Sequence, residues 1–354
     1  MLLERIQQNA SLLAKHPAYR CGEDSLTYSQ LWNAASLLAA QLQDSAGAVA
    51  LIGTKQPMMA VGMLGSLLAG RPYLPLSSDQ PKERLQRILS QANPGTVIDC
   101  REIKAEQWLK REPATQNFLI PGDPSRDAYW LFTSGSSGSP KGVRISLAAL
   151  ENFVRWFCAL PAIRSRKEPG AALNQAQFSF DLSVADLWPA WMMGETIFAL
   201  EPSQQADLDK LYRALGESGA TRMSCTPSFA RLCLCDKSFQ RELMPALQTV
   251  FFCGETLPAR TVRQLRQRFP GVTVLNAYGP TEATCAVCAV EVTGAGEPLP
   301  VGQLANAACQ LLILDQDGNE LPPGQSGEIA IAGQSVASGY LNASAERFGS
   351  WQGQ

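Results

Sequence analysis

The segment LFTSGSSGSPKGV, residues 131–143, combines residue types that hold phosphate groups. It carries three glycines, five hydroxyl side chains and one lysine, Lys141. Glycine lets the backbone approach a ligand closely. Hydroxyl and backbone N–H groups coordinate phosphate oxygens, and lysine adds a compact positive charge. The apolar runs Tyr129–Phe132 and Val143–Ser146 on either side are typical of strands. The pattern therefore predicts a phosphate-binding loop between two strands.

Two commoner phosphate-binding motifs do not fit this segment. A Walker loop has Gly before Lys, Ser or Thr after it, and then a helix, whereas here Pro140 precedes Lys141 and Gly142 follows it. A Rossmann fingerprint requires G-x-G-x-x-G opening a helix, and the chain has none. A flexible Gly/Ser linker is disfavoured because two apolar runs enclose the segment.

An acidic residue, Asp181, interrupts the apolar run QFSFDLSVADLWP, residues 177–189. A buried carboxylate is costly unless it is paired. One interpretation is a helix N-cap, a role for which Asp is well suited. The other is that Asp181 binds a cationic group of a ligand.

A third segment, NAYGPTEAT, spans Asn276–Thr284 and follows a predicted strand. An aromatic ring such as that of Tyr278 can stack on a purine, and a carboxylate such as Glu282 can hold Mg²⁺. The alternative is an ordinary turn with Tyr278 packed on the core and Glu282 in solvent. The phosphate loop elsewhere in the chain favours the nucleotide interpretation.

Composition narrows the classes of function. The chain has 354 residues, 45% of them hydrophobic, and a net charge of −2. Without a basic stripe, nucleic acid is not an expected partner. The longest apolar run, Met58–Ala69, is too short to cross a bilayer, so no membrane partner is expected. The N-terminal residues lack the pattern of a signal peptide, and we expect a cytoplasmic protein.

Nucleophilic triads and structural zinc are disfavoured. The only histidine is His16, which argues against Ser-His and Cys-His catalysis. Of the ten cysteines, Cys285 and Cys288 form a lone C-x-x-C, and Cys233 and Cys235 are too closely spaced for a typical zinc pair. In a cytosolic protein most of these cysteines are expected to be small buried side chains rather than disulfides.

Helical and strand periods alternate along most of the chain. This alternation predicts an α/β fold with two stacked, mostly parallel sheets and flanking helices. From about Gly302 the pattern changes to LLILD, QDG and ELPPGQSGEIAIAG, which predicts antiparallel strands. We therefore expect α/β subdomains over residues 1–301 and a smaller β-rich subdomain, a distorted barrel, over residues 302–354.

Four segments together resemble the motifs of the adenylate-forming enzymes, a family that includes acyl-CoA synthetases, luciferases and peptide-synthetase adenylation domains. They are the phosphate loop, AGRPYLPL at residues 69–76, NAYGPTEAT, and GEIAIAGQSVASGYLNASAERF at residues 327–348. Ser77 stands where the family usually has Asp. The resemblance implies that ATP and Mg²⁺ are used and that a substrate carboxylate attacks the α-phosphate.

The resemblance also implies roles for individual residues. Lys141, Thr281 and Glu282 take the catalytic roles, and Glu282 holds Mg²⁺. The implied nucleotide-binding residues are Thr133, Ser134, Gly135, Ser136, Ser137, Gly138, Gly254, Glu255, Asn276, Ala277, Tyr278, Gly279, Pro280 and Thr281.

Asp181 decides the substrate class in this family, because Asp at its position binds the α-ammonium of an amino acid. Residues 180–286 resemble the ligases that charge a carrier protein with D-alanine. The implied side-chain pocket is uncharged and consists of Leu182, Ala185, Ser224, Phe251, Cys253, Ala277 and Cys285. A charged substrate would lose water there without gaining a partner. Cys253 is either the residue that favours D-alanine or a packing cysteine.

Two substitutions enlarge this pocket relative to the D-alanine ligases, since Met is usual at Ala185 and Thr at Ala277. D-Alanine is therefore the first expectation, and L-proline or a larger apolar amino acid is the alternative. The carrier's phosphopantetheine thiol is the expected acceptor in the intact enzyme.

The chain ends at Gln354, before the family's Tyr-x-Thr-Gly-Asp motif and small C-terminal domain. We expect a fragment that binds its ligands weakly and turns over poorly. An acyl- or aryl-CoA ligase and a non-catalytic binding module are the rival interpretations.

Overall fold

The computed structural model describes residues 2–103, 123–134, 140–164, 169–294, 296–304, 308–342 and 348–349. The helices are α1 Leu2–Leu12, α2 Tyr28–Gln41, α3 Pro57–Leu68, α4 Lys82–Ala92, α5 Leu147–Ala159, α6 Pro161–Arg164, α7 Val184–Met193, α8 Pro202–Gln205, α9 Leu208–Glu217, α10 Pro227–Leu234 and α11 Ala259–Arg268.

The strands are β1 Pro17–Cys21, β2 Asp24–Thr27, β3 Val49–Gly53, β4 Tyr73–Ser77, β5 Thr96–Asp99, β6 Asp127–Ser134, β7 Pro140–Ser146, β8 Ala171–Asn174, β9 Thr196–Ala199, β10 Arg222–Cys225, β11 Thr249–Phe252, β12 Thr273–Tyr278, β13 Cys288–Glu291, β14 Cys309–Leu314, β15 Glu328–Gly333 and β16 Gly339–Tyr340.

Two large sheets form the framework. One has eight strands in the order β13-β12-β11-β10-β8-β9-β1-β2, parallel except for the antiparallel pairs at its two edges. The other has six strands in the order β16-β7-β6-β4-β3-β5, with a parallel centre and antiparallel β7 and β16. Strands β14 and β15 form a separate antiparallel pair. The predicted fold class of two mostly parallel sheets with flanking helices is confirmed.

The C-terminal part of the chain contributes to more than the small sheet. Gly339 and Tyr340 of β16 pair with Arg144 and Val143 of β7, and so extend the six-stranded sheet. This short strand carries the glycine and tyrosine of the GYL motif to the edge of the phosphate-loop hairpin. The boundary between residues 301 and 302 stays a prediction.

Helix α2 shows how local sequence sets an element boundary. The segment SLTYSQLWNAASLLAAQLQ, residues 25–43, opens with a Ser-Leu-Thr cap signal and keeps a helical period, which predicts a helix over this range. In the structure, residues 24–27 form β2 and the helix begins at Tyr28. The Thr27 hydroxyl accepts from the Gln30 backbone N–H, and the Gln30 side chain accepts from the Thr27 backbone N–H. This capping box provides hydrogen-bond acceptors for two backbone N–H groups that have no acceptor within the helix itself.

The core lies between the layers. Every residue of α3 is buried, and one continuous cluster joins α3 to Tyr19 of β1 and Tyr129 of β6, which belong to different sheets. Eight of the ten cysteines are buried, in agreement with their predicted role as small packing side chains. Within the described residues, no helix is both long and apolar enough to cross a membrane.

A buried lysine links the two sheets near the ends of β3 and β8. Lys55 follows β3 and is 1% exposed. Its ammonium donates to the Asn174 side chain and to the Ala176 carbonyl, and it lies 4.2 Å from the Phe178 ring centroid. Burial lowers the pKa of Lys55 to about 7, while the nearby Asp186 carboxylate raises it. Lys55 thus fixes the segment that leads to Asp181.

This lysine predicts an alkaline slope in stability. Between pH 7 and about 10 the unfolded chain holds a proton on Lys55 that the folded chain has released, so the free energy of unfolding should rise with pH. The slope from one such group is at most about 1.4 kcal/mol per pH unit. Lys55→Met should remove it in urea unfolding at pH 7, 8 and 9, whereas exposed Lys15→Met should not. If the free energy of unfolding changed with pH equally in Lys55→Met and in the unsubstituted protein, the lowered pKa of Lys55 would be contradicted.

Candidate nucleotide and amino-acid site

The two strands that flank the phosphate-loop segment pair with each other as a β-hairpin. Strands β6 and β7 pair antiparallel, with Thr133 opposite Lys141 and Ser134 opposite Pro140. Gly135, Ser136, Ser137 and Gly138, predicted to bind phosphate, lie outside the described residues. The two predicted flanking strands are confirmed, and their pairing places Thr133 and Lys141 at the same level of the hairpin.

Lys141 and Glu282, both predicted to be catalytic, lie on either side of one tyrosine. The Lys141 ammonium is 5.4 Å from the ring centroid of Tyr340. The Tyr340 hydroxyl donates to Glu282 Oε1 at 2.7 Å. An ammonium over an aromatic face is attracted by the ring quadrupole. The Tyr340 ring therefore orients the Lys141 ammonium relative to the Glu282 carboxylate, which lies far away in the sequence.

Sequence reasoning did not assign a role to Tyr340. The only feature of the sequence that could have indicated a role is that an aromatic residue directly follows Gly339 in a motif otherwise rich in small residues. Only the pairing of β16 with β7 shows that this tyrosine lies beside Lys141.

The turn after β12 carries Thr281 and Glu282 on a 3₁₀ helix, Thr281–Ala283. A Cβ at Gly279 would come within 2.5 Å of Ala286 Cα, so the close approach of the two backbones requires glycine. Tyr278, at the end of β12, is 36% exposed. Its ring remains accessible to a ligand, while the turn itself is held tightly.

Asp181 reaches this turn from the other side of the site. It opens a 3₁₀ helix, Asp181–Ser183, and its Oδ2 accepts from Thr281 Oγ1 at 2.6 Å. Burial raises the pKa of Asp181, the Thr281 hydrogen bond lowers it, and the charge of Glu282 raises it. The N-cap of α7 is Ser183, so the Asp181 carboxylate contacts Thr281 instead of capping that helix.

The residues predicted to form the side-chain pocket are brought together. Six of them are less than 9% exposed and belong to one hydrophobic cluster: Leu182, Ala185, Phe251, Cys253, Ala277 and Cys285. Ser224, the seventh, is also buried, and it pairs with Phe251 across β10 and β11. None of the seven predicted residues has a charged side chain.

Two cysteines of this pocket contact each other. The Cys253 thiol donates to the Cys285 carbonyl at 3.6 Å. The hydrogen bond with Cys253, followed by burial, raises the pKa of Cys285 well above its ordinary value. The Cys285 thiol is therefore neutral and acts as a compact apolar wall.

The remaining predicted nucleotide contacts lie at the ends of β11 and β12. Gly254 has φ of +92°, a conformation that favours glycine. The Glu255 carboxylate accepts from the Ser228 backbone N–H at 3.1 Å and from its hydroxyl. Asn276 is 3% exposed and donates to the Pro300 carbonyl at 2.8 Å. The side chains of Glu255 and Asn276 are thus held by the protein itself.

The end of β12, Lys141 of the hairpin and two 3₁₀ helices meet at one place, joined by the contacts of Tyr340 and Asp181. Ligands of open α/β sheets bind at such ends. A carboxylate beside buried, uncharged side chains can hold an ammonium group, and the lysine on the hairpin can neutralise phosphate charge.

This chain matches the family described as AMP-binding enzyme over residues 6–341. The chain belongs to the AMP-binding enzyme family. Enzymes of this family use ATP, and the hairpin of β6 and β7 carries part of the ATP contacts predicted for this AMP-binding enzyme. The match includes every residue predicted for the site.

Curated relatives of this AMP-binding enzyme are named D-alanine–D-alanyl carrier protein ligases. That of Bacillus velezensis is 37% identical over 361 residues, covering 96% of this chain and 71% of the relative. That of Bacillus cereus strain B4264 is 36% identical over 364 residues, with the same coverage. The chain thus spans somewhat more than two thirds of their length.

Solved structures share the fold. The nonribosomal peptide synthetase FmoA3 superimposes with a TM-score of 0.86 at 23% identity, covering 97% of this chain and 38% of the synthetase. The N-terminal subdomain of Klebsiella oxytoca NpsA superimposes with a TM-score of 0.82 at 23% identity, covering 99% of this chain and 93% of that subdomain. The two-sheet arrangement is therefore that of adenylation domains.

Proposed function

We propose that this AMP-binding enzyme activates an amino acid with ATP, giving aminoacyl-AMP and pyrophosphate, for transfer to the phosphopantetheine thiol of a carrier protein. The substrate carboxylate oxygen bonds to the α-phosphorus as the bond between that phosphorus and the pyrophosphate oxygen breaks. The observation that carries the proposal is the position of Asp181, which accepts a hydrogen bond from Thr281 and precedes buried, uncharged residues of the predicted substrate pocket, Leu182 and Ala185.

The carboxylate of Asp181 is the natural partner of the α-ammonium of an amino acid. A fatty or aryl acid has no cation to offer, and it would leave the Asp181 charge unpaired in a largely buried place. Glu282 adds a second negative charge nearby, as its effect on the Asp181 pKa indicates. Both carboxylates favour a cationic substrate group over a neutral one.

Positioning and charge stabilisation supply the catalysis. Lys141 is placed to offset the negative charge that develops on the transferred phosphate. Thr281 joins the two halves of the site, since its hydroxyl binds Asp181 and its neighbour Glu282 binds Tyr340. An ordered array of this kind holds the carboxylate and the α-phosphate at reacting distance.

Glu282 is our proposed protein ligand for Mg²⁺. It is partly exposed, and the hydrogen bond from Tyr340 engages only its Oε1. This fits Mg²⁺, which is usually held by one or two carboxylates, substrate phosphates and water. When bound, the ion would neutralise part of the polyphosphate charge.

D-Alanine is our proposed substrate, on the strength of the names of the two ligases and of the uncharged residues predicted to line the pocket. L-Proline or a larger apolar amino acid is the alternative, because Ala185 and Ala277 are smaller than the residues usual at these positions in the D-alanine ligases. We also propose a cytoplasmic location, which the absence of disulfides among the described cysteines supports.

The test is thermal unfolding of this chain with Mg·ATP and one added acid at a time. D-Alanine, L-alanine, L-proline and L-phenylalanine compare size and chirality, and propionate is the matched control because it lacks only the ammonium of alanine. A ligand at about 100 Kd adds roughly 2.7 kcal/mol to the free energy of unfolding. We expect D-alanine to raise Tm beyond the shift caused by Mg·ATP, and propionate to leave it unchanged.

Other outcomes assign the chain differently. Equal shifts with propionate and alanine would favour an acyl-CoA ligase. A shift with ATP and with none of the acids would contradict the assignment of Asp181. No shift with ATP would contradict nucleotide binding by this chain.

A further inference from the structure

One tyrosine, Tyr340, separates two opposite charges of the candidate nucleotide site. Its hydroxyl donates to Glu282 Oε1 at 2.7 Å, and its ring centroid lies 5.4 Å from the Lys141 ammonium. All three side chains are half-buried. Among the residues that the structure describes, neither Lys141 nor Glu282 belongs to an ion pair. The two charges are thus brought to one side chain without pairing with each other.

This separation favours the binding of a phosphate ligand. Opposite charges in a partly buried site attract each other and would otherwise form a direct ion pair. A lysine held by a glutamate would have to leave it before binding phosphate, and ligand binding would be weaker by the free energy of that pair. The Tyr340 hydroxyl gives Glu282 a donor without charge. The ring attracts the Lys141 ammonium through its quadrupole but has no acceptor atom for its N–H groups, which remain available for phosphate oxygens.

Residues 335–341, named here the strap, hold the backbone around this tyrosine against the turn that carries Glu282. The Ala337 N–H donates to the Glu282 carbonyl at 2.8 Å. The Ser335 carbonyl accepts from the Thr284 hydroxyl at 2.7 Å. Ser335 and Thr284 are fully buried, so water does not compete for this hydrogen bond. The strap is therefore fixed to the turn through both backbone and side-chain contacts.

The strap is also fixed to strand β7 of the hairpin. The Ser338 N–H donates to the Arg144 carbonyl at 2.8 Å, and the Leu341 N–H donates to the Gly142 carbonyl at 2.7 Å. A Cβ at Gly142 would lie 2.7 Å from Leu341 Cδ1, so the close approach of the two segments requires glycine. Tyr340 lies between these two attachments, and its position relative to the hairpin is set by the backbone.

We propose that Tyr340 is a positioning residue that prevents a direct ion pair between Lys141 and Glu282 before ATP binds. It keeps the Lys141 ammonium available for phosphate oxygens, and it engages only one oxygen of the Glu282 carboxylate. This inference rests on the proposed function, because it takes the phosphates of ATP as the ligand of Lys141.

A double-mutant cycle on ATP binding without metal tests this role. Titration calorimetry is run with ATP in EDTA, so that Glu282 has no metal ion to bind. Tyr340→Phe keeps the ring and removes only the hydroxyl, after which the Glu282 carboxylate should pair with Lys141. We expect ATP affinity to fall about fivefold, the upper end of what a partly exposed ion pair contributes to an equilibrium constant. In the Glu282→Gln background, Tyr340→Phe should change ATP affinity by less than about twofold, because glutamine carries no charge to hold the ammonium.

A second variant and a matched control accompany the cycle. Tyr340→Leu also removes the ring, and it should weaken ATP binding at least as much as Tyr340→Phe when Glu282 is present. Tyr212→Phe is the control, because it removes a hydroxyl that donates to the Cys233 carbonyl at 3.2 Å in another part of the fold. It should bind ATP as the unsubstituted chain does. Thermal unfolding without ligand checks that each variant is folded.

The possible results separate this inference from the proposed function. If Tyr340→Phe weakened ATP binding equally with and without Glu282→Gln, Tyr340 would act only through local structure, and the inference would be wrong. Unchanged ATP affinity in both Tyr340→Phe and Tyr340→Leu would also overturn it. If the unsubstituted chain bound ATP neither with Mg²⁺ nor in EDTA, the proposed function itself would fail, and this inference with it.

Discussion

Asp181→Asn is expected to lower the affinity for the amino-acid substrate by about 30-fold or more while leaving ATP binding unchanged. Asparagine has nearly the same shape and can still accept from Thr281, so the change removes the charge and little else. Loss of one partner of a buried, hydrogen-bonded charge pair costs about 2–5 kcal/mol, and each 1.4 kcal/mol is tenfold. Calorimetry with D-alanine in the presence of a non-hydrolysable ATP analogue measures both affinities.

The pH dependence of amino-acid affinity provides a second test of the role of Asp181. Because burial raises the pKa of Asp181, amino-acid affinity should fall at a higher pH than that of an ordinary aspartate as the solution is acidified. The amino-acid affinity of Asp181→Asn should not show this fall at acidic pH. Exposed Asp209→Asn is the control and should keep both the affinity and its pH dependence. Unchanged affinity in Asp181→Asn would show that the ammonium binds elsewhere.

Arg222→Ala is expected to lower the free energy of unfolding by about 3–5 kcal/mol, the cost of breaking a buried ion pair from one side. The Arg222 side chain is 2% exposed, and its Nε donates to Glu195 Oε2 at 2.8 Å. Its terminal nitrogens donate to the carbonyls of Ala185 and Asp186 at 3.1 Å. The guanidinium also lies 3.7 Å from the Asp186 carboxylate. Truncation would leave two buried carboxylates without their cation.

Urea unfolding measures this loss, and two further variants separate its causes. Arg222→Lys should recover little of the lost free energy of unfolding, because an ammonium group cannot make the same set of hydrogen bonds as the planar guanidinium group. The double variant Arg222→Met with Glu195→Met should be more stable than Arg222→Ala, since it removes both partners of the closest pair. Exposed Arg213→Ala is the control. A loss below about 1 kcal/mol for Arg222→Ala would mean that the network contributes little.

The ion network also links stability to the site. Arg222 binds the carbonyls of Ala185 and Asp186 in the first turn of α7, directly after Asp181. On the other side, Lys55 holds Ala176 and contacts the Phe178 ring. The segment that carries Asp181 is thus anchored at both ends by buried basic side chains. We attribute the fixed position of its carboxylate to these two anchors.

Periodicity was enough to predict the α/β fold, because strands of a covered parallel sheet are short apolar runs and their helices keep a 3.6-residue period. It failed at the N-terminus. Residues 25–27 were assigned to a helix, and β1 and β2 were not predicted. Strands as short as these lack a distinctive pattern, and the pairing of Tyr19 with Ile197 of β9 is a contact across about half of the chain.

The sequence by itself determined which residue types are available for chemistry: one lysine after a Gly/Ser loop, one aspartate inside an apolar run, and one glutamate in a Gly-Pro turn. Residue type and local spacing carry that information. Tertiary structure alone decided that Thr281 binds Asp181, that Tyr340 lies between Lys141 and Glu282, and that the strap binds both β7 and the turn that carries Glu282. These contacts join residues far apart in sequence, and they arise only when strand pairing brings the segments together.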